Sequence, residues 1–249
     1  MIHFRSRYHD FFPIALYTPL PYNRIMKFST SLLTTPEQFF ARLSWGLQQS
    51  LPGREAQQHM APPSRRLEPE PESTPRQAAV LVPLHTNEGE VSLLLTLRQE
   101  NLRHHGGEIS FPGGAMEPTE HSFTETALRE AQEEIHLSPA AVQVLGDLTP
   151  LYIPPSHNLV HPVVGWLTQR ASWSTNPAEV QKIFSVPLRR LLAPETARRK
   201  IQIRHGETRV IPCYQVGEHC IWGATAMVLS ELLFLIQKSA GRKHTCSPF

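Results

Sequence analysis

Residues 129–134 read Arg-Glu-Ala-Gln-Glu-Glu, and a helix would bring the three carboxylates to one side. At about 100° per residue, with Glu130 at zero, Glu133 falls near −60° and Glu134 near +40°. Ala127, Leu128, Ala131 and Ile135 fill the adjoining sector and form an apolar stripe able to lie on a sheet. Exposed like charges one turn apart cost a few tenths of a kcal/mol. Three carboxylates converging beside a buried stripe cost more, and one of them keeps its proton unless a cation sits among them. Hard, oxygen-only donors of this kind suit Mg²⁺ or Mn²⁺. A Glu-rich helix with a solvated face has the same composition, so context must decide between the two.

Several elements have to position this edge. Ser122 and Glu125 stand at capping-box spacing ahead of the helix, and Ser138-Pro139 is expected to stop it. Before the helix, Phe111-Pro112-Gly113-Gly114 makes a turn whose glycines are free to take positive φ, which would let backbone N–H groups approach a phosphate. Residues 79–84 and 91–96 read as strands joined by a hairpin through 86–90. Further strands are expected over 142–148 and 159–167, then short ones to about residue 214, with a closing apolar helix over 224–237. The order implies an α/β fold, a mixed β-sheet covered by helices.

The chain has 249 residues, 40% of them hydrophobic, enough for a sizeable core. No apolar run reaches the roughly 18–20 residues that a membrane-spanning helix needs. A net charge of +2 gives no global field for nucleic acid or anionic lipid, so neither is an expected partner. Three cysteines, at 213, 220 and 246, lack metal-ligand spacing and fit reduced thiols in a cytoplasmic protein. Prolines crowd the first third of the chain. Residues 1–25 are read as an upstream mis-start or a disordered segment. Residues 26–76 are read as an N-terminal helix, opening at Thr35-Pro36 and running to about residue 50, followed by a Pro-rich linker or wrapping arm over 52–76 that is not expected to contribute core. The α/β domain is expected over 77–237, with a polar tail over 238–249.

Gly114, Glu120 and the run from Arg129 to Glu134 resemble the Nudix box, G-x5-E-x7-R-E-U-x-E-E-x-G-U, where U is a bulky apolar residue. The interval from Glu120 to Arg129 is one residue longer than the pattern, and His136 replaces its second glycine. Upstream, Leu94-Leu95-Thr96-Leu97-Arg98, then Arg103, Gly107 and Phe111-Pro112-Gly113-Gly114, is similar to the signature L-L-T-x-R-[SA]-x3-R-x3-G-x3-F-P-G-G of the coenzyme A pyrophosphatases, a Nudix subfamily with a lengthened box. The single mismatch is Gln99, where Ser or Ala is usual.

The resemblance implies the Nudix fold, an α/β/α sandwich, and hydrolysis of coenzyme A or acyl-coenzyme A by a monomer or homodimer. It implies Glu130 and Glu134 as ligands of Mg²⁺ or Mn²⁺, Glu133 as a further ligand or the base, and Arg129 either orienting those carboxylates or touching substrate, with the choice of general base among the glutamates left open. Glu179 is a candidate for a further ligand or base. Arg98 and Arg103 are candidates for binding the substrate's phosphates, since guanidinium forks match phosphate geometry; the alternative for Arg98 is a solvated charge at a strand end. Gly113 and Gly114 would line the same site. Other nucleotide substrates such as ADP-ribose or NADH, and a catalytically silent nucleotide-binding domain, are the competing readings.

Overall fold

A computed structural model describes residues 35–240, apart from 64, 103–104 and 205–206. The expectations for residues 1–25 and for Arg103 therefore lie outside the described residues.

Strand β1 (Arg76–Asn87) turns into β2 (Glu90–Arg98) through Glu88 and Gly89, both at positive φ (50° and 80°). Two left-handed residues give the tight turn whose twist matches antiparallel strands. Only the turn end of this hairpin is paired directly, from Leu84↔Leu93 to Asn87↔Glu90. Further along the two strands splay, and β3 (Ile109–Ser110) and β4 (Gly113–Ala115) fill the gap: β3 pairs with β2, and β4 with β1. On its other edge β1 runs parallel to β7 (Asn158–Leu167), which carries β5 (Val142–Asp147) and β6 (Leu151–Ile153) antiparallel. The far edge of β2 pairs with β8 (Val180–Pro187). The result is an eight-stranded mixed sheet, and β9 (Ala197–Arg204), β10 (Glu207–Val216) and β11 (His219–Trp222) form a separate three-stranded one.

The period-two alternation of strand side chains builds two cores. Ala79, Leu81, Leu94 and Val163 face one side, where Ala127, Ala131 and Ile135 of helix α3 (Phe123–Ile135) cover them. Val82, Leu84, Leu93, Leu95 and Val164 face the other side, under the helices α1 (Pro36–Leu47), α2 (Gly53–Gln58) and α5 (Gly223–Ala240). The short α4 (Leu188–Leu192) follows β8. The sandwich is thus α/β/α, as the resemblance implied, around the mixed sheet that the order of elements suggested. No described helix is long and apolar enough to cross a membrane.

Two N-terminal expectations need correction. The first helix stops at Leu47, short of residue 50. The segment after it is no detached linker: Ala56 and Met60 are fully buried against the core. What fastens it is Glu231 of α5, a fully buried carboxylate. It accepts hydrogen bonds from Gly53 N–H (3.1 Å), Gln57 Nε2 (2.8 Å) and Thr149 Oγ1 (2.6 Å). Buried polar atoms are tolerated when their hydrogen-bonding capacity is satisfied in this way. At the other end, α5 runs to Ala240, three residues past the expected limit at 237.

Candidate active site

Helix α3 is capped as its sequence predicts at one end and not at the other. Ser122 accepts from Glu125 N–H (3.2 Å), while the Glu125 carboxylate accepts from His121 N–H (2.7 Å), one residue before the cap. The helix ends at Ile135 rather than at Ser138-Pro139, because His136 takes a left-handed conformation (φ 51°) that turns the chain away. That is the position at which the Nudix box has glycine.

Gly113 and Gly114 lie in strand β4, and neither adopts positive φ. The expected left-handed phosphate turn is therefore absent at these two residues, and their lack of a side chain serves close approach instead. A Cβ at Gly113 would stand 2.4 Å from the carbonyl oxygen of Ala79. One at Gly114 would stand 2.3 Å from Glu130 Oε1. Two bare glycines let the wedged strand lie against β1 and beneath the Glu130 carboxylate.

Arg129 is the hub of the outer carboxylates. Its Nε donates to Glu120 Oε1 (2.8 Å), Nη1 to Glu133 Oε2 (2.9 Å) and Nη2 to Ala115 O (3.0 Å), and Nη2 forms an ion pair with Glu130 Oε1 (2.9 Å). The hydrogen bond to Glu120 does most to push its pKa up, with Glu130 adding to it. Glu120, which sequence reasoning left without a role, is itself locked by Glu117 N–H (2.6 Å) and Thr126 Oγ1 (2.8 Å). Burial alone would raise its pKa; the bonds from Arg129, Glu117 and Thr126 hold it below the usual value. With the longer interval, Glu120 nonetheless reaches Arg129.

Further along the same helix face lies Glu134, only 1% exposed. Its Oε1 accepts from Arg98 Nη1 at 2.8 Å, and its Oε2 is buried without any hydrogen-bond partner. Desolvation raises its pKa to about 7; Arg98 opposes the shift, and the charges of Glu130 and Glu179 add to it. The same three influences act on Glu130, whose pKa is raised mainly by burial, against Arg129, with help from Glu133 and Glu179. Glu133 is the exposed member, half open to solvent on Arg129. Arg98 is not a solvated strand-end charge: its side chain is 20% exposed and Nη1 is engaged by Glu134.

Glu179 sits in the turn just before β8, whose first residue, Val180, is in register with Arg98. Glu130, Glu133, Glu134, Arg129, Arg98, Gly113, Gly114 and Glu179 therefore surround one acidic edge. Among the described residues, no three His, Cys, Asp or Glu side chains already converge at coordination distance. Each inner carboxylate instead leans one oxygen on a guanidinium. The donor set still fits a divalent cation. Its oxygens are hard, their acidity is suppressed by mutual repulsion and burial, and Glu134 Oε2 is an unpartnered buried acceptor of the kind that a bound ion satisfies.

Residues 75–205 match the NUDIX domain family. The chain is 40% identical over 181 residues to "Uncharacterized Nudix hydrolase NudL" of Photorhabdus laumondii, covering 73% of this chain and 94% of that one. The corresponding protein of Pectobacterium atrosepticum is 42% identical over 181 residues, covering 70% and 88%. Among solved structures, the MutT protein from Methanosarcina mazei aligns at 17% identity with a TM-score of 0.42, over 70% of this chain and 100% of that chain. A NUDIX hydrolase from Listeria monocytogenes aligns at 17% identity with a TM-score of 0.45, over 66% and 95%.

Proposed function

Because the chain belongs to the Nudix hydrolase family, we propose that it hydrolyses the diphosphate of coenzyme A or its derivatives. Water adds to one phosphorus, the bridging P–O bond breaks, and 4′-phosphopantetheine and adenosine 3′,5′-bisphosphate leave. The observation that carries a hydrolytic reading is the buried Glu134 carboxylate, with one oxygen unpartnered and Glu130 and Glu179 close enough to perturb it. The choice of coenzyme A among nucleoside diphosphate derivatives rests on the run from Leu94 to Gly114, with its Arg98, Arg103, Gly107 and Phe-Pro-Gly-Gly spacing.

Nudix hydrolases generally use divalent metal ions; here Glu130, Glu133 and Glu134 are the proposed ligands, with Glu179 as a further carboxylate. Held there, Mg²⁺ or Mn²⁺ would supply charge neutralisation for the diphosphate and acidify the attacking water. The protein's own contribution is orientation. Arg129 holds Glu120, Glu130 and Glu133 in one array, and Arg98 fixes the rotamer of Glu134 so that Oε2 is the oxygen left to act. Gly114 keeps the floor beneath Glu130 open. Arg98 and Arg103 are the proposed contacts for the substrate's phosphates, Arg98 through the N–H groups it does not give to Glu134.

Incubating purified protein and Mg²⁺ or Mn²⁺ with coenzyme A, ADP-ribose and NADH, with products identified by mass, tests the proposal. The two expected products from coenzyme A support it, and a preference for NADH overturns the substrate assignment.

A further inference from the structure

The turn that carries Glu179 is held from two sides. On one side, the last carbonyls of α3 lack intrahelical donors, and the segment ahead of β8 supplies them. Asn176 Nδ2 donates to Glu133 O (3.2 Å), Asn176 N–H to Glu134 O (2.9 Å), and Ser174 N–H to Ile135 O (3.0 Å). Asn176 then closes the turn that follows. Its Oδ1 accepts from Ala178 N–H (3.1 Å), and its carbonyl accepts from Glu179 N–H (3.1 Å) and Val180 N–H (2.8 Å). One residue thus ties the backbone of Glu133 and Glu134 to the backbone of Glu179.

On the other side stands Gln99, the residue just past β2. Its N–H donates to Glu179 O (2.9 Å) and its Nε2 to Pro177 O (2.9 Å). Gln99 is also the single position at which this chain departs from the upstream signature, where Ser or Ala is usual. A Ser or Ala side chain ends short of the Pro177 carbonyl, so the second bond belongs to this sequence in particular.

We propose that Asn176 and Gln99 are positioning residues that clamp the Glu179 turn between α3 and β2 and so set Glu179 at its working distance from Glu130 and Glu134. The inference rests on the acidic edge being a divalent-cation site. Neither side chain touches the carboxylates; both act through the backbone that carries Glu179.

The test is a Mn²⁺ titration, followed by electron paramagnetic resonance of the free ion. It uses the full chain and compares Asn176→Ala and Gln99→Ala in the wild-type and Glu179→Gln backgrounds. Loss of two side-chain hydrogen bonds should weaken Mn²⁺ binding about 10-fold for Asn176→Ala, and loss of one about 3-fold for Gln99→Ala. With Glu179 neutralised, the further loss should fall below about twofold, the coupling expected when one residue acts through another. In turnover of coenzyme A, kcat should fall while KM changes by less than about twofold. Equal losses in both backgrounds, or unchanged Mn²⁺ affinity in both variants, overturn the clamp. Should Asn176→Ala fail to fold, Gln99→Ala, which removes an exposed bond, decides the cycle alone. Wild-type protein that binds Mn²⁺ without cleaving coenzyme A removes the substrate assignment and leaves the cycle decisive; wild-type protein that binds no Mn²⁺ removes the cation site itself.

Discussion

Replacing Glu134 with Gln should make the metal-free protein more stable at alkaline pH while abolishing turnover. The carboxyl has a folded-state pKa of about 7 against an ordinary 4.5, with burial as the main cause. Between those two values the folded chain holds the proton more tightly than the unfolded chain does. Stability therefore falls as pH rises from about 4.5 to 7 and then levels. At about 1.4 kcal/mol per unit, the ionised side chain costs about 3 kcal/mol at pH 8. Gln is neutral throughout and can still accept from Arg98, so the variant escapes that loss. For a chain of this size the gain corresponds to roughly 6–12 °C in Tm at pH 8, shrinking toward zero near pH 5. Thermal or urea unfolding in the presence of a chelator, at pH 5 and at pH 8, measures the difference. A variant less stable than wild type at pH 8, or an offset identical at both values, would refute a destabilising buried charge at Glu134. Saturating Mn²⁺ should raise the wild-type Tm and leave the variant nearly unmoved.

Gly114→Ala should cut kcat by about tenfold or more with little change in the circular dichroism spectrum, since a Cβ 2.3 Å from Glu130 Oε1 must displace that carboxylate. Arg129→Lys cannot keep four partners with one ammonium, so kcat should fall by about 10- to 100-fold, with a smaller loss in unfolding free energy. His136→Gly relieves a left-handed residue at the end of α3 but removes the bond between His136 Nδ1 and Ser174, so the two effects should offset to within about 1 kcal/mol in urea unfolding. Glu231→Ala leaves Gly53 N–H, Gln57 and Thr149 without their common acceptor, and about 3 kcal/mol or more should disappear from the unfolding free energy.

What could be read from the chain was whatever local spacing encodes. The capping box, the carboxylate sector and the apolar stripe of α3 all follow from helical period, and the β1–β2 hairpin follows from two apolar runs around Glu88-Gly89. The pairings that give the acidic edge its electrostatics join residues far apart in sequence. Arg98 meets Glu134 across 36 positions, and Glu231 meets Gly53 across 178. No periodicity announces such partners. Composition also misled at two places. Pro-rich texture concealed the buried Ala56 and Met60, because two apolar residues suffice when a distant carboxylate fastens the backbone around them. At Gly113-Gly114 the sequence reveals a missing Cβ without saying whether torsional freedom or sheer closeness requires it; here closeness does.

The segment that matches the family ends at residue 205, whereas the helix roofing one side of the sheet begins at Gly223. Trimming the protein to the matched borders would strip α1, α2 and α5 together and leave Val82, Leu84, Leu93 and Leu95 facing water. Every carboxylate of the acidic edge would survive such a cut, on a scaffold prone to stick to itself. In this chain the borders of the chemistry and the borders of the folding unit do not coincide, and the buried glutamate of the last helix is the rivet between them.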